Sequence, residues 1–118
     1  MESDFFSLPE LSRAVETRDS KAMRGFYTKN ARMRIIDRDH PPSRPLKIIG
    51  QDAIGAYFDD VCSRTMTHKV EGGCVNVERL AYTQACAYPD GTRVFCSAMA
   101  ELKDRKIDNQ TIVQAWDA

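Results

Sequence analysis

From Thr67 onward the chain loses every helical period, and that change does most to limit how it can fold. Upstream, apolar residues recur at helical spacing in three stretches. Downstream, the segments "THKVEGGCVNVE", "RLAYTQACAY", "TRVFCSAMAELK" and "KIDNQTIVQAW" alternate with period two and show no helical pattern. Short turns join these segments, so neighbours pair antiparallel. Helices followed by a run of such strands define an α+β class in which helices pack on one side of a curved sheet.

The punctuation supports this order. "SLPELSRAVETRDS" places Leu8, Leu11 and Val15 on one helical face, with Ser7 as cap and Pro9 in the first turn. "DSKAMRGFYTKNA" reads as a short second helix that buries Ala22, Met23, Phe26 and Tyr27, capped by Asp19 or Ser20. "ARMRIIDR" alternates Ala31, Met33, Ile35 and Asp37 against arginines and is a strand. "DHPPSRP", with three prolines that lack a donor, is a loop leading to a helix over 51–64. Gly50 opens that helix, whose apolar face is Ala53, Ile54, Tyr57, Phe58 and Val61, and Gly72 and Gly73 mark a bulge beyond it.

Strand parity follows from the turns. "YPDG" as a type I turn with a glycine bulge sets Ala87 opposite Thr92, and "DR" as a two-residue turn sets Leu102 opposite Ile107. One face then carries Tyr82, Gln84, Cys86, Phe95, Ser97, Met99, Gln110, Ile112, Gln114 and Trp116. The other carries Ala81, Thr83, Ala85, Ala87, Val94, Cys96, Ala98, Ala100, Thr111, Val113 and Ala115. The bulky, partly polar first face suits a pocket lining, and the flat second face suits stacking on another sheet.

Composition narrows the partners. Hydrophobic residues make up 42% and charged residues 29%, as in a folded globular unit, and 118 residues suffice for one domain spanning 1–118. Lysine plus arginine and aspartate plus glutamate balance at 17 each, which argues against nucleic acid or an anionic membrane as partner. Cys62, Cys74, Cys86 and Cys96 are spaced too widely for a zinc knuckle and read as buried free thiols, so neither metal nor cofactor is expected. "MESDFFSLPEL" lacks the basic start and apolar run of a signal peptide, and the expected location is the cytoplasm.

Three stretches carry a family resemblance: "RDSKAMRGFYTKNARM", "IIGQDAIGAYF" and "ELKDRKIDNQ". In order and spacing the chain resembles the nuclear-transport-factor-2-like superfamily, in its branch of ketosteroid isomerases and SnoaL-like polyketide cyclases. The resemblance implies a cone-shaped, cystatin-like α+β roll of N-terminal helices on a strongly bent antiparallel sheet, with the 51–64 helix closing the wide end over a ligand. It also shows what is missing. The isomerase base position falls on Ile35, and the two oxyanion-hole positions fall near Leu11 and Met99.

Two functional readings remain. In the first, a small apolar or oxygenated organic molecule enters the cone, Asp37 or His68 removes a proton next to its carbonyl, and Tyr57, Gln84 or Gln114 holds the enolate oxygen. In the second, a module of the same fold binds a ligand or dimerises without chemistry. Trp116 joins the ligand-binding candidates, although it equally suits the filling of the cone. A lone His68 and a loop-opening Asp37 also have structural readings, as a core histidine and a backbone cap. A homodimer is expected through Ala85, Cys96, Ala98, Val113 and Ala115.

Overall fold

The computed structural model of the protein describes residues 5–117. Helix α1 (Leu8–Glu16) starts where Ser7 Oγ accepts the Glu10 amide at 3.3 Å, and α2 (Ser20–Gly25) starts where Asp19 accepts the Ala22 amide at 3.1 Å. Strand β1 (Tyr27–Ile36) follows, then β2 (Leu46–Ile49), α3 (Gln51–Ser63), β3 (Thr67–Val75), β4 (Arg79–Ala87), β5 (Arg93–Lys103) and β6 (Lys106–Trp116). The helical period ends and the strand period begins where Thr67 opens β3. Tyr27, expected in the second helix, instead begins β1, because α2 stops at Gly25 after little more than one turn. The segment after the proline loop also holds a strand that the sequence reading left out: "LKII" alternates too briefly to show a period, but pairs with β1 at Ile49 opposite Arg32.

All six strands form one curved sheet in the order β2-β1-β6-β5-β4-β3. Four of the five pairings are antiparallel, as expected; β1 and β6 run parallel, which corrects an all-antiparallel sheet. The reason is topological: β1 is joined to β6 through helix α3 and the whole β3–β6 meander, not through a hairpin, so nothing obliges the two to oppose. Helix α3 starts at Gly50, whose φ of +94° needs no Cβ and whose amide reaches the Ala31 carbonyl at 2.8 Å.

Both hairpin readings need a correction of one residue. At the first, the Tyr88 amide donates to the Thr92 carbonyl and Gly91 takes φ +93°, so the loop is three residues long and Ala87 faces Arg93, not Thr92. At the second, Asp104 and Arg105 both have positive φ, as a two-residue turn requires, and Leu102 does face Ile107. One step on, however, Glu101 faces Asn109, which leaves Asp108 as an extra, bulged residue. The first error turns β5 over relative to β4, and the second turns β6 back. The inward residues of β4 and β6 are therefore as read from sequence, while β5 directs Val94, Cys96, Ala98 and Ala100 inward and Phe95, Ser97 and Met99 outward.

Gly73 shows how tightly the N-terminal helix is seated. A Cβ there would meet the Ala81 carbonyl oxygen at 2.7 Å and Leu8 Cδ1 of α1 at 3.3 Å, whereas a Cβ on Gly72, across the bulge at Val70–Gly72, would meet nothing within 4 Å. Backbone cannot yield as a flexible side chain can. Gly73→Ala should therefore destabilise the fold by about 1–3 kcal/mol and Gly72→Ala by well under about 1 kcal/mol, measured by urea unfolding. Equal losses would contradict this account of the α1 contact.

Candidate functional site

The hydrogen-bonded rows of the sheet define the inner wall. Leu80, Ala100 and Gln110 form one row across β4, β5 and β6; Tyr82, Ala98 and Ile112 the next; then Gln84, Cys96 and Gln114; and finally Cys86, Val94 and Trp116. The first row is filled. Gln110, fully buried, accepts the Tyr27 hydroxyl at 2.5 Å and donates to the Tyr82 hydroxyl at 3.1 Å, closing the narrow end. Beyond it, the small β5 side chains leave space that α3 spans but does not fill. The result is a cavity of about 620 Å³ bounded by Tyr57, Phe58 and Val61 of α3, the inner faces of β3–β6 and the loop after β1.

All six residues singled out in the sequence, Asp37, Tyr57, His68, Gln84, Gln114 and Trp116, line this cavity. They form separate groups. Tyr57 lies beside Gln114, whose Oε1 accepts Trp116 Nε1 at 3.2 Å. Trp116 does not fill the cone. It stands at the mouth, stacked on Tyr88 with centroids 5.9 Å apart and covered by the Arg38 guanidinium at 4.3 Å. Asp37 follows β1 directly, on its inward parity, with its side chain 16% exposed, and its Oδ1 accepts the Asp39 amide at 2.9 Å and lies 2.9 Å from His40 Nδ1. The local cap and the candidate base are the same carboxylate, with Oδ2 left over. His40, overlooked among the prolines, also lines the cavity; an aspartate followed three residues later by histidine was the available signal.

The third group lies deeper. His68 on β3 is 9% exposed, and its Nδ1 is 3.1 Å from Cys86 Sγ. Gln84 Nε2 donates to the same sulfur at 3.2 Å. Cys96, placed on the outer face by the sequence parity, instead points inward beside Cys86. The neighbouring Cys96 thiol, together with His68 and Gln84, holds the Cys86 thiol below the ordinary range against the opposing effect of burial, and the Cys96 thiol is raised in turn. Cys74, expected to be buried, is exposed, while Cys62 is half-buried; all four cysteines are free. Met99, aligned by resemblance with an oxyanion-hole position, is 65% exposed on the outer face.

The tyrosines carry the electrostatic signature of the dry interior. Burial raises Tyr27 well above the ordinary phenol range and pushes Tyr57 and Tyr82 up to about 12. All three are hydrogen-bond donors under any ordinary condition.

Comparison with known proteins identifies the fold. No protein-family model and no curated protein matches the sequence. Solved structures do. An NTF2-like protein of unknown function from Mesorhizobium loti superposes with a TM-score of 0.77 at 12% identity, over 92% of this chain and 87% of that one. An NTF-2 like protein of unknown function from Burkholderia xenovorans LB400 gives 0.75 at 15% identity, over 93% and 79%. SalBIII, described as an epoxide hydrolase/cyclase-like enzyme in pyran ring formation in the polyether salinomycin, gives 0.69 at 20% identity, over 92% and 87%. The chain has the NTF2-like cone fold that its element order suggested. Among the described residues no helix is long and apolar enough to cross a membrane.

The raised tyrosines set a pH dependence. Above about pH 10 an unfolded tyrosine gives up its proton while Tyr82 in the folded state keeps it until about 12. The native state then holds more protons, so stability falls with rising pH through this window, by up to about 1.4 kcal/mol per pH unit for each such tyrosine. Tyr82→Phe should make the alkaline loss of stability shallower than in the wild type, read by urea unfolding at pH 9 to 11.5. Identical slopes would count against a buried, neutral Tyr82.

Proposed function

We propose that the cone binds a small, mostly apolar molecule carrying one or two oxygens and that Asp37 removes a proton next to its carbonyl. One observation carries the reading: a mostly buried carboxylate stands in the wall of a cavity of about 620 Å³ that also presents neutral phenol and amide donors. Both Asp37 hydrogen bonds fall on Oδ1, so Oδ2 takes the proton, and His40 fixes the orientation of the carboxyl group. Tyr57, kept neutral by burial, donates to the oxygen on which charge develops, and Gln114 orients it. Trp116 and Tyr88 provide an aromatic edge at the entrance. His68, the other candidate base, is engaged with Cys86 and is the less available of the two. The pairing of SalBIII with ring formation is compatible with such chemistry and belongs to that protein.

The second reading, binding without reaction, rests on the isoleucine at the position where the resemblance places the isomerase base. Exchange in D₂O separates the two. With 4-phenylbutan-2-one as probe, the wild type should catalyse deuterium uptake next to the carbonyl, followed by proton NMR, and Asp37→Asn should slow it by about 100-fold or more. Quenching of Trp116 fluorescence by the ketone without any exchange would leave the binding module only.

The reading extends to a homodimer through the outer face of the sheet. That face exposes Phe95 (46%), Met99 (65%) and Val113 (45%) among small residues such as Ala85 and Ala115, a patch that a monomer seldom leaves open. Cys96 and Ala98, first assigned to it, belong to the cavity. Free thiols suit the reducing cytoplasm. Met99→Glu should yield monomers in sedimentation at concentrations where the wild type is dimeric; a wild type that is monomeric at high micromolar concentration would end the dimer proposal.

A further inference from the structure

The proton-transfer reading leaves the buried His68–Cys86 group of the cavity wall without a task. Cys86 Sγ accepts Gln84 Nε2 at 3.2 Å, lies 3.1 Å from His68 Nδ1 and has the Cys96 thiol beside it, an environment that suits a thiolate. Gln84 Nε2 lies 3.4 Å from His68 Nδ1 and 3.2 Å from the sulfur, and the sulfur is its acceptor. Most telling is the far side of the imidazole: His68 Nε2 is buried in the cavity wall and, among the described residues, is the one buried side-chain nitrogen or oxygen with no hydrogen-bond partner. An orphan of this kind costs about 1–3 kcal/mol unless a ligand atom completes it. Cys86 and Cys96 are diagonal across the β4–β5 pair, since Cys96 faces Gln84 and Cys86 faces Val94, and both thiols are free.

We propose that Cys86 and His68 form a nucleophilic pair that adds the cysteine sulfur to the β-carbon of an α,β-unsaturated carbonyl compound bound in the cavity. The proposal rests on the reading that the cone admits a small carbonyl ligand. The Cys86 proton passes to His68, which then carries hydrogen on both nitrogens: Nδ1–H on the sulfur and Nε2–H toward the carbonyl oxygen. Sulfur forms a bond to the β-carbon, the C=C pair moves toward the carbonyl to give an enolate, and Nε2 delivers its proton to the oxygen. The enol reverts to the ketone by ordinary tautomerisation. No electrons are lost, no group leaves, and the product is a thioether on Cys86. The titratable and charged groups around the sulfur are His68 on β3, Tyr82 on β4, Cys96 on β5, Tyr57 on α3, and Arg64 and Tyr88 toward the mouth.

The thiolate fraction fixes the conditions of the test. At pH 6 an ordinary thiol is almost wholly protonated, while a thiol held below the ordinary range keeps a larger thiolate fraction, and only part of that gain is lost to its lower intrinsic nucleophilicity. Purified protein is incubated at pH 6 with 4-phenylbut-3-en-2-one, and adducts are located by peptide mass mapping, with N-acetylcysteine as reference thiol. In parallel, Trp116 fluorescence reports entry of the saturated 4-phenylbutan-2-one, which cannot add. The expected result is one enone on Cys86, added at least several-fold faster than on N-acetylcysteine. His68→Gln should slow Cys86 by about tenfold or more, and Cys96→Ala, which removes the neighbouring thiol without touching the imidazole, by several-fold. If the saturated ketone quenches Trp116 while Cys86 stays unmodified, or reacts no faster than N-acetylcysteine or only at exposed Cys74, the nucleophilic pair is overturned and the binding reading survives. If neither quenching nor adduct is seen, both fall.

Discussion

Two hydrogen bonds on one side chain determine where this protein is solid and where it is hollow. Gln110 links Tyr27 at the start of β1 to Tyr82 on β4, spanning the inner face of β6 and β5. A buried carboxamide left unpaired would cost about 1–3 kcal/mol, so the bridge holds the strands at a separation that satisfies both partners. Below it Tyr27, Leu80 and Ile107 fill the narrow end. Above it β5 contributes only Val94, Cys96, Ala98 and Ala100 to the inner wall, and such small side chains cannot reach the lid helix. The cavity is what remains when a large lid, Tyr57 and Phe58, is held over a floor of small residues.

The polar groups of the cavity divide by how they are held. Gln84, Cys86 and Cys96 come from β4 and β5 inside the hydrogen-bonded sheet, and His68 from the edge strand β3, where it pairs with Cys86 of β4. Asp37 and His40 sit on a loop, but one closed on itself: the Asp37 amide reaches the His40 carbonyl at 3.0 Å, the reverse bond is 3.2 Å, and the prolines that follow limit what the chain can do next. A site for chemistry requires side chains placed to within a fraction of an ångström, and both arrangements supply that by backbone constraint.

The sequence made the architecture legible because periods and caps are local signals. Ser7, Asp19, Gly50 and Gly91 each act where they were expected to act. Inward Asp37, Gln84, Gln114 and Trp116 were legible for the same reason, since β1, β4 and β6 keep their parity. The inner face of β5 was not. It depends on one residue in the Pro89–Gly91 loop and on the bulge at Asp108, which is set by tertiary pairing with β1 and β5 and leaves no mark on hydrophobic alternation. That single inversion hid Cys96 from the site and placed Phe95 and Met99 inside, where they would have filled the space. The Cys86–His68 contact was invisible for a related reason: it joins residues 18 apart through a register that no local motif encodes.

The central claim is that the cone is a preformed, ligand-accepting cavity with its oxygen-binding groups in the wall. The most direct measurement is a crystal structure with 4-phenylbutan-2-one introduced. The account predicts ketone density between α3 and the inner face of β4–β6, with the carbonyl oxygen within hydrogen-bond distance of Tyr57 Oη or His68 Nε2 and the phenyl ring toward Trp116. A cone closed by Phe58 and Trp116 packing into the space, with no ketone inside, would contradict it.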